Sequence, residues 1–222
     1  MNDFISGGIS GICQTIIGHP LDTYKVLIQN NQFKMNQIYN INPYLGIKYP
    51  LYASVIICSI TFGTNSYLKQ NMNYDELVNG FISGTIISPI IFYFDYKKIH
   101  NQLKLKSYTN IWKRKGKFSC FLRESIAFSV YFKSYDMMHH KYKYNPLISG
   151  GVAGLVNWTV TYPIDTIKTR QTVHNMNFID CVKLGNFWKG YLPCAFRAVM
   201  VNSTGFYVYQ HAHNNYKNIF NE

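Results

Sequence analysis

The sequence predicts an all-α membrane protein in which six transmembrane helices form three tandem two-helix repeats, with pseudo-threefold symmetry around a central cavity. Three observations lead to this fold class. One pattern of glycines, an acid and a lysine occurs three times in the 222 residues, a second apolar segment follows each copy, and basic residues gather in the connections on one side. At about 20 residues per span, six helices use about 120 residues, which leaves about 100 for loops and termini.

The first helix of each repeat carries the recurring pattern. Residues 7–29, 80–102 and 150–172 align without gaps, and each begins with a Gly-xxx-Gly pair of the kind that lets helices approach closely in lipid. An acid and, three residues later, a lysine follow in every copy: Asp22 with Lys25, Asp95 with Lys98, and Asp165 with Lys168. The predicted repeats are residues 1–74, 75–144 and 145–222.

Prolines mark predicted kinks in these helices. Pro20 and Pro163 occupy equivalent positions, whereas the second repeat has Tyr93 there and Pro89 one turn earlier. A proline removes a helical hydrogen bond and bends the helix.

The second helix of each repeat is predicted near residues 50–70, 119–138 and 192–212. The connection between the predicted third and fourth helices is rich in lysine. The short connection between the predicted second and third helices contains Asp75 and Glu76 instead. Positive charge on one side is typical of an oriented membrane protein. The mean hydropathy is only −0.11. Helices that line an aqueous cavity are expected to have polar inner faces, which lower this average.

Composition and motifs argue against several other classes. With 22 basic against 10 acidic residues and 47% hydrophobic residues, the chain is not a disordered one. It contains no GxSxG, P-loop, HExxH or dinucleotide motif, so we expect neither an enzyme nor a cofactor. The five cysteines and the histidines are not spaced as a metal site or a disulfide framework. The basic residues lie between apolar helices, so nucleic acid is not the expected partner. The N-terminus shows no presequence.

The motif residues resemble those of the mitochondrial carrier family over essentially the whole chain. The segments PLDTYK and YPIDTIKTR match its Px[DE]xx[KR] motif, Trp188, Lys189 and Gly190 match its aromatic-basic-glycine triplet, and Tyr44 to Gly46 form a partial triplet. The resemblance implies a multi-pass monomer of the mitochondrial inner membrane that exchanges a small solute for a counter-solute by alternating access. It also implies contacts with the bilayer, including an anionic lipid such as cardiolipin on the matrix side.

The resemblance implies that the acids and lysines form a gate on the matrix side. Acid and lysine share a helix face near the C-terminal end, so three such faces can meet around one axis. The implied pairs are Asp22 with Lys98, Asp95 with Lys168, and Asp165 with Lys25, and Gln29 and Gln102 are expected to brace two of them. Because exposed ion pairs contribute only about 0.2–1 kcal/mol each, substrate binding can open such a gate in every cycle.

A second gate is expected at the opposite mouth. The matching positions are Ser66 with Lys69, Asp136 with His139, and Gln210 with His213. Only Asp136 is an acid, so we expect a weak gate, and its two histidines are candidates for pH sensitivity near neutrality.

The resemblance places substrate contacts at mid-depth on the second helix of each repeat. The matching residues are Ala53, Arg123 with Glu124, and Arg197, and Asn202 is a further polar candidate. The gate acids and lysines cancel in charge, so Arg123, Glu124 and Arg197 leave the pathway at +1, which favours an anion.

Three functions stay open. The sequence narrowly favours exchange of nucleotides such as ADP, ATP or dATP, because arginines bind phosphates bidentately. Its richness in Asn, Ile, Lys and Tyr is also typical of the AT-rich genome of a parasite or large virus, for which nucleotide import would be useful. The alternative is an amino-acid-like solute, namely a basic amino acid, carnitine or S-adenosylmethionine, whose amine would meet Glu124. A non-transporting membrane adaptor is the alternative from another class.

Overall fold

The computed structural model describes residues 2–29, 42–72, 74–105, 110–201 and 204, and the regular structure of these ranges is helical. Within these ranges the chain forms seven α-helices: α1 (Asn2–Gln29), α2 (Lys48–Asn71), α3 (Glu76–Gln102), α4 (Lys117–Asp136), α5 (Pro146–His174), α6 (Phe178–Lys183) and α7 (Tyr191–Val201). A short 3-10 turn, Ile111–Lys113, precedes α4, and a π-helical turn, Met137–Lys141, follows it.

The three longest helices each contain one of the prolines singled out in the sequence. Pro20 lies inside α1, Pro89 inside α3 and Pro163 inside α5. Helix α3 begins after Asp75, whose carboxylate accepts a hydrogen bond from the backbone N–H of Glu76 at 2.9 Å. The Lys133 ammonium also donates to this carboxylate and lowers the pKa of Asp75.

Helix α3 packs against α2 and α4, and α4 packs against α5. Two glycines of α3 bring its backbone close to that of α4. A methyl group on Gly80 would lie 2.4 Å from the carbonyl oxygen of Phe128, and one on Gly84 would lie 2.4 Å from that of Glu124. The contact therefore requires residues without a side chain at these two positions.

A glycine with left-handed backbone lies just before each of α2, α4 and α7. The φ angles are +87° at Gly46, +102° at Gly116 and +85° at Gly190. Each of these glycines faces the main chain of a lysine on one of the three long helices: Lys98 of α3, Lys168 of α5 or Lys25 of α1. A Cβ atom on Gly46, Gly116 or Gly190 would lie 3.1, 3.6 or 3.4 Å from the carbonyl oxygen of Lys98, Lys168 or Lys25.

The short helix α6 is held by a buried arginine of α5. The guanidinium of Arg170 donates hydrogen bonds to the carbonyl oxygens of Gly185 at 2.7 Å, Asn186 at 3.2 Å and Cys181 at 3.4 Å. Because these carbonyls lie at and just beyond the C-terminal end of α6, Arg170 satisfies groups that the helix leaves unpaired.

Among the described helices, only α3 is long and apolar enough, by length and composition, to cross a membrane, with a mean hydropathy of 1.6 in its best window. Helix α7 is apolar but shorter within the described residues. Hydropathy therefore does not reveal six spans. The long helices α1 and α5 fall short because glycines and polar residues, such as Gln14 in α1 and Asn157 in α5, lie within their apolar stretches.

Candidate functional site

A cavity of about 290 Å³ lies among the long helices and is lined mostly by ionisable side chains. Nine such residues contribute, five basic and four acidic: Lys25, Lys98, Arg123, Lys168, Arg197, Asp22, Asp95, Glu124 and Asp165. All nine were singled out from the sequence. The charges of these lining residues sum to +1, since five positive charges meet four negative ones.

Three ion pairs connect α1, α3 and α5 to one another in a closed ring. Lys98 Nζ lies 2.6 Å from Asp22 Oδ2, Lys168 Nζ lies 2.6 Å from Asp95 Oδ2, and Lys25 Nζ lies 2.6 Å from Asp165 Oδ2. These are the pairs expected for the matrix gate, but the expectation that they are exposed is wrong, since five of the six side chains are at most 15% exposed. The pairs are not equivalent, because Asp95 is 38% exposed whereas the carboxylates of Asp22 and Asp165 are 14% and 10% exposed.

The two candidate glutamine braces differ. The amide of Gln29 donates to Asp165 Oδ2 at 3.2 Å, next to the Lys25 ammonium. The amide of Gln102 donates instead to the Thr23 hydroxyl at 3.0 Å, so the expectation that it braces an ion pair is wrong. Both oxygens of Asp22, the chain neighbour of Thr23, already hold a cation.

The charged residues expected to contact substrate form ion pairs with residues of the ring. Glu124 is 1% exposed and binds two cations: its Oε2 atom lies 2.6 Å from Arg123 Nη1, and its Oε1 atom lies 3.1 Å from Lys168 Nζ. Side chains of adjacent residues in a helix do not face one another directly. The long Arg123 side chain nevertheless folds back onto its neighbour.

The other arginine contacts reach acids of the ring. Arg197 Nε lies 2.6 Å from Asp22 Oδ1, an ion pair without hydrogen-bond geometry at that nitrogen. Arg123 Nε lies 3.8 Å from Asp165 Oδ1. Arginines of the shorter helices α4 and α7 therefore contact acids of this ring that belong to α5 and α1.

Trp158 of α5 belongs to the cavity wall and was missed in the sequence. The Lys25 ammonium lies 4.4 Å from the indole centroid, and the Arg123 guanidinium lies 4.7 Å from it. Both distances are within the range of cation–π attraction. The sequence could have revealed this residue, because Trp158 precedes Asp165 by two helical turns and therefore lies on the same face of α5.

The predicted contact on α2 is displaced by one turn. Ala53 is 5% exposed and does not line the cavity, whereas Ile57, four residues later, does. A short buried methyl group does not reach the space that the longer Ile57 side chain reaches. Asn202 lies outside the described residues.

The second gate is only partly described. Asp136 ends α4 and His139 lies in the π-helical turn, where its Nδ1 atom is 3.1 Å from the carbonyl oxygen of Tyr144. Within the described ranges no ion pair joins Asp136 to His139. A π-helical turn changes the angular spacing of residues three apart, so the two side chains do not keep the α-helical alignment assumed from the sequence. The Lys69 side chain and His213 lie outside the described part of the chain.

Comparison with known proteins connects this arrangement to a family. The family model described as mitochondrial carrier protein matches residues 1–43 and 139–220. The chain belongs to the mitochondrial carrier family. Carriers of this family are transporters, so the chain is a transporter and not an enzyme.

Several relatives align with almost the whole carrier. The human mitochondrial basic amino acids transporter is 24% identical over 263 residues, with 92% of this chain and 87% of that protein covered. The mitochondrial substrate carrier family protein L of Dictyostelium discoideum is 25% identical, with coverage of 95% and 94%. A mitochondrial carrier-like protein of Acanthamoeba polyphaga mimivirus is 29% identical over 205 residues, with coverage of 85% and 86%.

Proposed function

We propose that this carrier exchanges a small amino-acid-like solute for a counter-solute across the mitochondrial inner membrane by alternating access. The observation that carries the proposal is the cavity in which Glu124, Arg123 and Arg197 lie together. The carboxylate would bind the solute's ammonium group, and an arginine would bind its carboxylate through charge-assisted hydrogen bonds.

Two further observations favour this class over nucleotides. The cavity of about 290 Å³ is at the small end of the range of about 300–1,000 Å³ that is usual for ligand sites. A relative that aligns with 92% of the chain is named a basic amino acids transporter. The arginines would also suit phosphates, so nucleotides are the second candidate.

We further propose that the ring of Asp22–Lys98, Asp95–Lys168 and Asp165–Lys25 is the matrix gate, closed in this structure. The three left-handed glycines, each packed against a gate lysine's main chain, support a threefold arrangement of repeats 1–74, 75–144 and 145–222 with six spans. The carrier would act as a monomer in the bilayer, with an anionic lipid such as cardiolipin on the matrix side.

Exchange by the purified carrier in liposomes tests the function. Vesicles are preloaded with amino acids, carnitine, S-adenosylmethionine or nucleotides, and uptake is measured with and without internal counter-solute. We expect amino-acid exchange that Glu124→Gln abolishes, whereas Glu76→Gln, a matched change outside the cavity, retains it. Exchange of nucleotides alone, or no exchange of any solute, would contradict the proposal; the second result would favour a non-transporting adaptor.

A further inference from the structure

The cavity has an excess of cations and no unoccupied carboxylate among its described lining residues. Asp95 and Asp165 each hold a lysine at 2.6 Å, and Asp22 holds both Lys98 and Arg197. Glu124 holds Arg123 and Lys168. A solute cation therefore competes with a resident cation at each of these carboxylates, and the competition is strongest at the buried ones; Asp95, 38% exposed, is the most open of the four.

A zwitterionic solute can separate the Arg123–Glu124 pair and bind both of its members. If the carboxylate of an amino acid binds Arg123, Glu124 loses that partner and accepts the solute's α-ammonium group. Each charged group then has an opposite charge, and the net charge of the lining residues plus the solute stays at +1. A second cation on the solute would raise it to +2, which is costly in a buried site.

The indole ring of Trp158, which contacts Arg123, already has two cations close to it. Trp158 carries the Lys25 ammonium at 4.4 Å and the Arg123 guanidinium at 4.7 Å from its ring centroid. The indole that would attract an additional solute cation therefore already contacts two positive charges.

Hydrocarbon lines another part of the cavity wall. Ile57 of α2, Ile91 of α3 and Phe128 of α4 line it, and they belong to one apolar cluster. A solute side chain that lies against these residues loses water without gaining a hydrogen bond, which favours an apolar side chain.

We propose that the solute is a zwitterionic amino acid with an apolar side chain, bound through its α-carboxylate and α-ammonium at Arg123–Glu124 and through its side chain at Ile57, Ile91 and Phe128. This inference rests on the proposed function and narrows it. It also separates this carrier from the relative named for basic amino acids.

Norleucine and lysine test the inference, because lysine is a linear amino acid of similar length that ends in an ammonium group. In the liposome assay, we expect the wild-type KM for norleucine to be lower than that for lysine by about tenfold or more, since a buried unpaired charge is costly. Thermal unfolding of the wild-type protein should shift upward with norleucine and not with lysine, a readout that requires no variant.

Two substitutions of Ile57 distinguish the effect of a charge at the apolar wall from the effect of side-chain size. Ile57→Glu supplies a carboxylate at the apolar wall, so it should gain lysine exchange and lose norleucine exchange. Ile57→Gln, of nearly the same shape, should lose norleucine exchange without gaining lysine exchange.

The outcomes distinguish the two proposals. A wild-type preference for lysine over norleucine, or equal use of both, would overturn this inference and leave amino-acid exchange standing. Exchange of nucleotides alone would overturn both. Gain of lysine exchange in Ile57→Gln as well as in Ile57→Glu would show that charge at this wall does not determine the selectivity, and would also overturn the inference.

Discussion

At the scale of single side chains, Lys168 contacts both the ion-pair ring and the proposed substrate site. It is 3% exposed and contacts both Asp95 of the ion-pair ring and Glu124 of the proposed substrate site. A solute that binds Glu124 would therefore change the surroundings of a gate lysine directly. Sequence spacing predicts the first contact, whereas the second depends on how α4 packs against α5.

Replacing Lys168 with an uncharged residue should lower both stability and exchange activity. Lys168→Met leaves two carboxylates without their shared cation, one of them fully buried, and breaking a buried pair costs about 3–5 kcal/mol. We expect loss of exchange and a lower unfolding temperature, measured by liposome uptake and thermal unfolding. Lys133→Met, which removes a lysine from an exposed pair with Asp75, is the control and should change both little. Equal effects of the two substitutions would contradict the assignment.

Arg170 should matter for stability because it donates hydrogen bonds to three main-chain oxygens around the end of α6. Arg170→Met leaves these acceptors unpaired, and a hydrogen bond with a charged group contributes about 1.5–3 kcal/mol. We expect a clear fall in unfolding temperature, whereas Lys183→Met, an exposed change on α6, should cause almost none. An unchanged unfolding temperature in Arg170→Met would show that the α6 segment is held by other contacts.

At the scale of helices, glycines set how closely α3 approaches α4. Gly84 lies against the main chain of Glu124, so the separation of these helices also determines the position of a proposed substrate contact. The Gly-xxx-Gly spacing predicts a close contact, but it does not identify the partner helix.

Gly84→Ala should therefore force the two helices apart. Its new methyl group would lie 2.4 Å from the Glu124 carbonyl oxygen, a backbone atom that has little freedom to move. Overpacking of this kind costs about 1–3 kcal/mol. We expect a lower unfolding temperature and slower exchange, whereas Gly11→Ala, with no atom within 4 Å of the new methyl group, should retain both. A loss of equal size in Gly11→Ala would contradict this explanation.

At the scale of the whole molecule, three ion pairs tie α1, α3 and α5 into one ring, and arginines of α4 and α7 contact its acids. The ion pairs of the nine charged cavity residues form two networks: Asp22 with Lys98 and Arg197, and the other six residues together. If the ring is the matrix gate, as proposed, the cavity opens on that side only when all three pairs separate.

Loss of all three gate lysines should uncouple transport. In the triple variant Lys25→Met, Lys98→Met and Lys168→Met, no cation of the ring holds the acids, so we expect solute efflux that no longer requires a counter-solute. Efflux from preloaded liposomes into solute-free buffer measures this. Lys133→Met serves again as the control and should keep efflux dependent on counter-solute. A triple variant that retains strict exchange would contradict the gate.

The amino-acid sequence alone was sufficient to predict an all-helical carrier and the residues of the ion-pair ring. Three ungapped copies of one pattern reveal the repeats, and a spacing of three residues places each acid and lysine on the same helix face. Family membership agrees with this prediction. The substrate class was harder to predict, since arginines beside an acid suit both phosphates and amino acids.

Only the tertiary structure decided which partners the polar side chains share. Glu124 bridges Arg123 and Lys168, Gln102 binds Thr23 and not an ion pair, and Ile57 replaces Ala53 at the cavity. These outcomes depend on distances between helices that are far apart in the chain and on the length and bending of individual side chains. Local spacing determines which face a residue occupies, but helix packing determines what that face meets.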